Sequence, residues 1–184
     1  MKQLSLVTVT FFLGFFIGFS LSIVQPNILG LAVSYPVNVV SVQPVFSPGS
    51  QSEAESLIRS AHNSIELEVY TFTSNVLLDE LGGASQRGVN VNVILEHSIS
   101  SNIETAKKLA ARGIKVKWGS KSFSLTHAKF LIIDNETVFV GSNNWSYHSF
   151  NLNREAGVIL KSREISNKFT AIFYSDWKEG AYAS

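Results

Sequence analysis

Cysteine is the most informative absence from this chain of 184 residues. Without a thiol the protein forms no disulfide, builds no thiolate zinc site and has no cysteine nucleophile. The lack says little about the compartment, because a protein outside the cytoplasm can simply do without cysteine.

An excess of one charge is also missing, since the formal net charge is only +1. The total charge therefore gives no sign of a polyanionic partner. Hydrophobic residues make up 45% of the chain, which is enough for the core of one domain of ordinary size. The sequence contains no low-complexity tract and no convincing internal repeat, so each motif described below occurs once.

Charged residues are absent from residues 4–24. A helix of this length, at about 1.5 Å per residue, crosses a hydrocarbon core of roughly 30 Å. We therefore predict a signal-anchor transmembrane helix in residues 1–24. Residues 25–36 contain two prolines and no charge, which is typical of a linker. The alternative is a cleaved signal peptide with a weak small-residue site near residue 32.

The flanking charges predict the orientation of this helix. Lys2 and the α-amino group precede it, and no lysine or arginine follows until Arg59. The positive-inside rule then keeps the N-terminus cytoplasmic. The domain formed by residues 37–184 is expected to be membrane-anchored and extracytoplasmic, or secreted if the segment is cleaved.

Strand and helix patterns alternate after the linker. We predict strands at 37–46, 65–72, 89–95, 114–118, 130–133, 138–140 and 156–160, and helices at 53–62, 75–87, 101–113 and 163–177. This alternation predicts an α/β sandwich with a mixed, largely parallel sheet. Glu66 and Glu68 alternate with apolar residues, so we expect them on the solvent side or behind a functional site.

The polar residues that carry chemistry lie between residues 126 and 155. His127, Lys129 and Asp134 follow the spacing HxKxxxxD, and a GSxN motif at 141–144 and an NxE motif at 153–155 come after them. Alternation along a strand places His127 and Lys129 on the same face. An imidazole and an ammonium aimed at one spot indicate an anion site, and a tetravalent phosphorus centre is the obvious candidate.

This pattern resembles the phospholipase D superfamily of phosphodiesterases. The resemblance covers about residues 37–177 and includes the segments 46–49 and 65–74. Its motif positions are His127, Lys129, Asp134, Gly141, Ser142, Asn144 and Glu155. Because the motif occurs once, the chain is similar to the short single-motif branch, which contains bacterial secreted endonucleases and the membrane-anchored mitochondrial enzyme of small-RNA pathways.

The resemblance implies an active site shared by two chains, and therefore a homodimer. One His127 would attack phosphorus and the other would protonate the leaving oxygen, because one imidazole cannot serve both sides of an in-line displacement. His127, Lys129, Asp134 and Glu155 form the implied catalytic set. Within it Glu155 orients the imidazole, and Asp134 is expected to be a structural, hydrogen-bonding carboxylate.

The phosphate oxygens are expected to meet Lys129, Ser142 and Asn144. The resemblance implies no metal and no other cofactor. The basic residues between 105 and 133, where no acid occurs, suggest a groove for a polyanion. Tyr70, Phe123, Trp145 and Tyr147 are candidate stacking faces beside that groove.

Three functions remain open from the sequence. The leading hypothesis is a metal-independent endonuclease that cleaves DNA or RNA. A phospholipase D-type hydrolase of phospholipid head groups is the main alternative, since an anchor would bring the site to a bilayer. A nucleic-acid-binding scaffold with little catalysis is the third.

Overall fold

The computed structural model describes residues 36–183. The predicted transmembrane helix and residues 25–35 of the predicted linker lie outside the described residues. None of the helices within residues 36–183 is long and apolar enough to span a bilayer. Residues from Val37 onward form one compact unit.

Strands and helices alternate through about the first half of this unit, as the sequence pattern predicts. The strands are β1 (Ser41–Phe46), β2 (Ser64–Val69), β3 (Asn90–Leu95), β4 (Lys115–Trp118), β5 (Lys129–Ile133), β6 (Thr137–Gly141), β7 (Ala156–Lys161) and β8 (Ala181–Tyr182). The helices are α1 (Gln51–Ser60), α2 (Asn75–Gln86), α3 (Ser100–Ala110), α4 (Tyr147–Asn151) and α5 (Arg163–Glu179). The sequence analysis missed α4 and β8, which are too short to show a periodic pattern.

All eight strands form one sheet in the order β1-β7-β6-β5-β2-β3-β4-β8. Only the neighbours β2, β3 and β4 pair in parallel, and the other five pairings are antiparallel. The prediction of a mixed sheet is confirmed, but the prediction that it is largely parallel is wrong. Parallel pairing needs a long crossover, and the turn of three residues between β5 and β6 is too short to provide one.

Helices cover both faces of the sheet. One face packs against α1, α2, α3 and the buried Phe150 of α4, and this side holds the larger apolar core. The other face packs against α5, where Phe173 meets Phe130, Ile132 and Ile94. The sheet is therefore the middle layer of an αβα sandwich, and its strand ends are left free to carry polar side chains.

Glu66 and Glu68 point into the layer between the sheet and α5. They are only 2% and 3% exposed, so the prediction of a solvent-side position is wrong. The alternation along β2 is correct, but α5 covers the face that the two glutamates share. Glu66 accepts a hydrogen bond of 3.0 Å from the Tyr174 hydroxyl of α5. Burial, with a smaller contribution from Asp176, raises the pKa of Glu68 to about 8.

The buried Glu68 carboxyl makes the stability of the fold depend on pH. Its raised pKa means that the folded state binds more protons than the unfolded chain, so stability falls as pH rises from the ordinary carboxyl range through about 8. Glu68→Gln is expected to increase the free energy of unfolding by about 1 to 3 kcal/mol at pH 9, and by much less at pH 5. Urea unfolding at both pH values measures the difference. Glu104→Gln on the exposed side of α3 is the matched control, and an equal effect of Glu68→Gln at both pH values would contradict this account.

Candidate active site

His127 and Lys129 lie where β5 begins, beside the end of β2. Lys129 pairs with Val69 across the two strands, and the backbone N–H of Tyr70 donates to the carbonyl of Ala128 at 3.1 Å. The Lys129 ammonium donates to the His127 carbonyl at 2.8 Å and lies 3.2 Å from Nδ1 and 3.4 Å from Nε2 of the same residue. The structure thus brings together the imidazole and the ammonium that alternation along the strand predicts.

The Tyr70 ring borders both of these side chains. Its centroid is 4.5 Å from that of the His127 ring, and the Lys129 ammonium lies 5.2 Å from it. His127 itself is exposed, whereas Lys129 is half-buried. Burial lowers the pKa of Lys129, and the negative charge of Glu155 opposes that effect.

Gly141 ends β6 at a point where two strands come unusually close. A Cβ atom at this position would lie 2.7 Å from the carbonyl oxygen of Ala156 and 2.7 Å from the Cα of Gly157, so any side chain would force the strands apart. The close approach lets the Ser142 N–H donate to the Ala156 carbonyl at 3.0 Å. Glycine at the first position of GSxN is therefore required by strand packing.

Glu155 precedes β7 and its carboxylate accepts three hydrogen bonds. The donors are the hydroxyls of Ser142 and Ser149, at 2.5 and 3.1 Å, and the amide of Asn153, at 3.2 Å. Burial opposes ionisation of Glu155, but these donors and the positive charge of Lys129 outweigh it, so its pKa lies below the usual range. The carboxylate is therefore an ionised group in a fixed orientation at neutral pH.

The expected hydrogen bond between Glu155 and the imidazole is absent from the part of the chain that the structure describes. The carboxylate oxygens are directed instead to serine and asparagine donors. Glu155 is nevertheless close enough to Lys129 for each charge to shift the pKa of the other. Within one chain, Glu155 therefore influences the Lys129 ammonium through its charge, and its hydrogen bonds go to Ser142, Ser149 and Asn153.

Ser47 holds the backbone around Glu155 through hydrogen bonds. This serine is fully buried, and its hydroxyl donates to the Asn153 carbonyl at 3.0 Å while accepting from the Glu155 N–H at 3.0 Å. The turn after β1 is thereby attached to the NxE segment, more than 100 residues later in the chain. Sequence reasoning did not assign a role to Ser47 or Ser149. The sequence around these two serines gave little indication of such a role, because a serine in a turn or near the start of a helix usually caps the helix.

Asn144 and Trp145 follow Ser142 in a loop attached to the end of β2. The N–H of Trp145 donates to the Thr71 carbonyl at 2.9 Å, and its own carbonyl accepts from Thr73 and Ser74. Trp145 is 2% exposed and packs edge-on against Phe72, so the prediction of a stacking face is wrong for this residue. The Asn144 side-chain oxygen is buried without a hydrogen-bond partner among the described residues.

Asp134 lies at the opposite end of β5 from His127. The strand of five residues between them places the carboxylate roughly 16 Å from the other motif residues. It accepts hydrogen bonds from the backbone N–H groups of His62, Asn63 and Ser64, at 2.7 to 2.9 Å for the shortest to each. Burial opposes its ionisation, but these three donors hold its pKa below the ordinary value. The structure therefore places Asp134 at the other end of β5 from His127 and Lys129, where its carboxylate attaches β5 to the segment before β2.

Lys117 and Arg112, which are two of the seven basic residues between 105 and 133, have partners within the protein. Lys117 is buried, donates to the Trp177 carbonyl at 2.7 Å and lies over the ring of Tyr182. Arg112 is paired with Asp79 at 2.7 Å. Two of the seven cations of the predicted polyanion groove therefore have other contacts: Lys117 packs inside the protein, and Arg112 pairs with Asp79 at the surface.

Comparison with known proteins places this arrangement in a family. Residues 55–177 match the family described as cardiolipin synthase, PLD-like domain. The chain belongs to the phospholipase D-like family of enzymes that act on phosphodiester bonds. This confirms the predicted family. Mitochondrial cardiolipin hydrolase from Mus musculus is 31% identical over 140 residues, which cover 74% of this chain and 63% of that protein. A cardiolipin synthase from Staphylococcus aureus (strain N315) is 29% identical over 127 residues, which cover 65% of this chain and 25% of the synthase.

The sandwich also matches a solved structure of the same family. Nuc, a phospholipase D family member from Salmonella typhimurium, superposes with a TM-score of 0.73 at 28% identity. The match covers 77% of this chain and 97% of Nuc. The likeness therefore extends over nearly the whole of the smaller bacterial protein.

Asp134 is expected to contribute to stability through its three backbone donors. Asp134→Asn retains a residue that tolerates the left-handed backbone at this position, where φ is 53°. It removes one acceptor oxygen and the charge, so the free energy of unfolding should fall by about 1 kcal/mol at pH 7. Because the folded pKa of Asp134 is depressed, the difference between wild type and variant should shrink as pH falls through that pKa. Glu136→Gln in the same turn is the control for a general surface effect.

Proposed function

We propose that the protein is a phosphodiester hydrolase in which His127 attacks phosphorus and a second copy of the chain supplies the other imidazole. The observation that carries the proposal is the group of His127, Lys129 and Glu155 at one end of the sheet. An exposed imidazole beside a half-buried ammonium is suited to an anionic, tetravalent substrate. Membership of a family that acts on phosphodiester bonds supports the same chemistry.

The reaction is a double displacement in this proposal. A ring nitrogen of one His127 forms a bond to phosphorus while the bond to the leaving oxygen breaks, and the partner's His127 gives that oxygen a proton. The partner's imidazole, now neutral, takes a proton from water, which attacks phosphorus and releases the first His127. Histidine suits both roles because its ordinary pKa of about 6.5 makes both protonation states accessible.

Lys129 and Asn144 are proposed to receive the nonbridging phosphate oxygens, and Ser142, whose hydroxyl donates to Glu155, is proposed to shape the loop beside them. The ammonium offsets charge that develops in the transition state, and the side-chain amide N–H of Asn144 donates a hydrogen bond to a nonbridging oxygen. The negative charge of Glu155 favours the charged form of the Lys129 ammonium, whereas burial favours its neutral form. Asp134 is proposed to hold the fold and to take no part in proton transfer, because it lies at the far end of β5.

A nucleic acid is the substrate class that we favour. The likeness to Nuc covers almost all of that protein, and the chain carries a single motif as expected for the short endonuclease branch. Phospholipid is the second candidate, and two observations favour it. Relatives are named as a cardiolipin hydrolase and cardiolipin synthases, and Phe123 and Leu125 are 50% and 46% exposed directly before His127. A binding scaffold with little catalysis is the third.

The proposed location is a membrane surface. Residues 1–24 would form the anchor, residues 25–36 the linker and residues 37–184 the phosphodiesterase domain on the extracytoplasmic side. The uncharged segment and the position of Lys2 before it support this arrangement. Cleavage of the segment would give a secreted enzyme.

His127→Ala is expected to lower turnover by at least about a thousandfold, because both chemical roles are lost. The full-length chain in detergent would be incubated with single-stranded DNA, with RNA and with cardiolipin-containing vesicles, each in a chelator. Strand cleavage supports the nuclease, release of lipid products without strand cleavage supports the lipase, and binding without product supports the scaffold. Full activity of His127→Ala would rule out the mechanism. Exposed His62, outside the proposed machinery, provides His62→Ala as the matched control.

The shared site makes a separate prediction about mixed dimers. When wild type and His127→Ala are co-refolded in equal amounts, about one quarter of randomly assembled dimers contain two wild-type chains. Activity per total protein should then fall to about one quarter of the wild-type value. Independent sites in each chain would leave about one half. The same mixture prepared without refolding is the control for simple dilution.

A further inference from the structure

The backbone of Tyr70 is fixed on both sides where β2 ends. Its N–H donates to the Ala128 carbonyl at 3.1 Å, between the two motif residues His127 and Lys129. Its carbonyl accepts a hydrogen bond of 2.8 Å from the side-chain amide of Asn102, which is completely buried in α3. The same amide donates to the Glu96 carbonyl at 2.8 Å. The Tyr70 ring therefore projects from a rigid frame.

The ring contacts the two charged or chargeable side chains of the site together. The His127 ring is tilted by 53° to it at a centroid distance of 4.5 Å, and the Lys129 ammonium lies 5.2 Å from its centroid. The Tyr70 hydroxyl forms no hydrogen bond within residues 36–183. The ring of Tyr70, and not its phenol oxygen, therefore makes the contacts with His127 and Lys129.

We propose that Tyr70 is a positioning residue whose ring face fixes the His127 imidazole and the Lys129 ammonium for attack on phosphorus. The proposal rests on the function proposed above. It differs from the interpretation of Tyr70 as a stacking face for nucleic acid, because the ring is already packed against groups of the protein itself.

Two physical reasons make such a support necessary. His127 is exposed, so water alone would leave its ring free to rotate, and in-line attack tolerates little misplacement. Lys129 is half-buried, where its charge has lost part of its hydration. The aromatic face restores some attraction for the cation without adding a negative charge that would repel the phosphate. A carboxylate in the same place would hold the lysine but oppose substrate binding.

The test compares Tyr70→Leu with Tyr70→Phe in the full-length chain. The substrate is bis(p-nitrophenyl) phosphate, which carries neither a nucleobase nor an acyl chain. Tyr70→Leu should lower kcat by about tenfold or more and change KM by less than about threefold, whereas Tyr70→Phe should stay within about twofold of wild type. Tyr182→Leu is the matched control, because Tyr182 is an exposed tyrosine on the edge strand β8 whose ring lies 4.7 Å from the Lys117 ammonium, outside the proposed site.

Two further readouts separate positioning from a general structural defect. The cation–π contact favours charged Lys129, so the alkaline loss of kcat should begin at lower pH in Tyr70→Leu and return to the wild-type position in Tyr70→Phe. The His127 Hε1 proton resonance, assigned by its loss in His127→Ala, should move in Tyr70→Leu and remain near its wild-type position in Tyr70→Phe.

The outcomes distinguish this proposal from the proposed function. An inactive His127→Ala together with an unchanged kcat in Tyr70→Leu would overturn the role of Tyr70 and leave the phosphodiesterase mechanism standing. A rise in KM with unchanged kcat would also overturn it, in favour of substrate contact. Failure of Tyr70→Phe to restore kcat would show that the hydroxyl matters. An active His127→Ala would remove the mechanism itself and the positioning role with it.

Discussion

The antiparallel pairing of β5 with β2 is the constraint on which the site depends. It places Lys129 opposite Val69 and lets the Tyr70 N–H donate to the Ala128 carbonyl. Lys129 therefore stands on the first residue of β5, and His127 lies two residues earlier in a segment that the hydrogen bond between Tyr70 and Ala128 attaches to the sheet. Ser142 and Glu155 reach this point through separate elements and are hydrogen-bonded to each other, whereas Asp134 lies at the opposite end of β5.

The electrostatics of the site come from two groups of opposite charge, Glu155 and Lys129, which have different surroundings. Glu155 is kept ionised by short-range donors, chiefly hydroxyls, whereas Lys129 has lost hydration without gaining a direct carboxylate hydrogen bond. A direct ion pair would neutralise the ammonium and leave it less able to attract a phosphate. The observed arrangement keeps the positive charge near the exposed imidazole and stabilises it from a distance.

The sequence was sufficient for the features that depend on local spacing. Alternation along a strand correctly placed His127 with Lys129, and the motif identified the family. Features that depend on packing between residues far apart in the chain could not be predicted from the sequence. Glu66 and Glu68 look like solvent-facing residues until α5 covers them, and Trp145 looks like a surface aromatic until it packs on Phe72. The contribution of parallel pairing was overestimated, because alternating helices and strands dominate only the first half of the domain. Ser47 reaches Glu155 across more than 100 residues, and no local pattern announces such a contact.

The close approach at Gly141 couples strand separation to the position of the carboxylate. With no side chain between them, β6 and β7 sit near enough for Ser142 to hydrogen-bond both the backbone of Ala156 and the carboxylate of Glu155. A spreading of these two strands by a single methyl group would draw the serine away from its acceptor and release the glutamate to solvent. A residue with no side chain, Gly141, thus limits which substitutions this region tolerates, because it sets the strand distance on which the position of the Glu155 carboxylate depends.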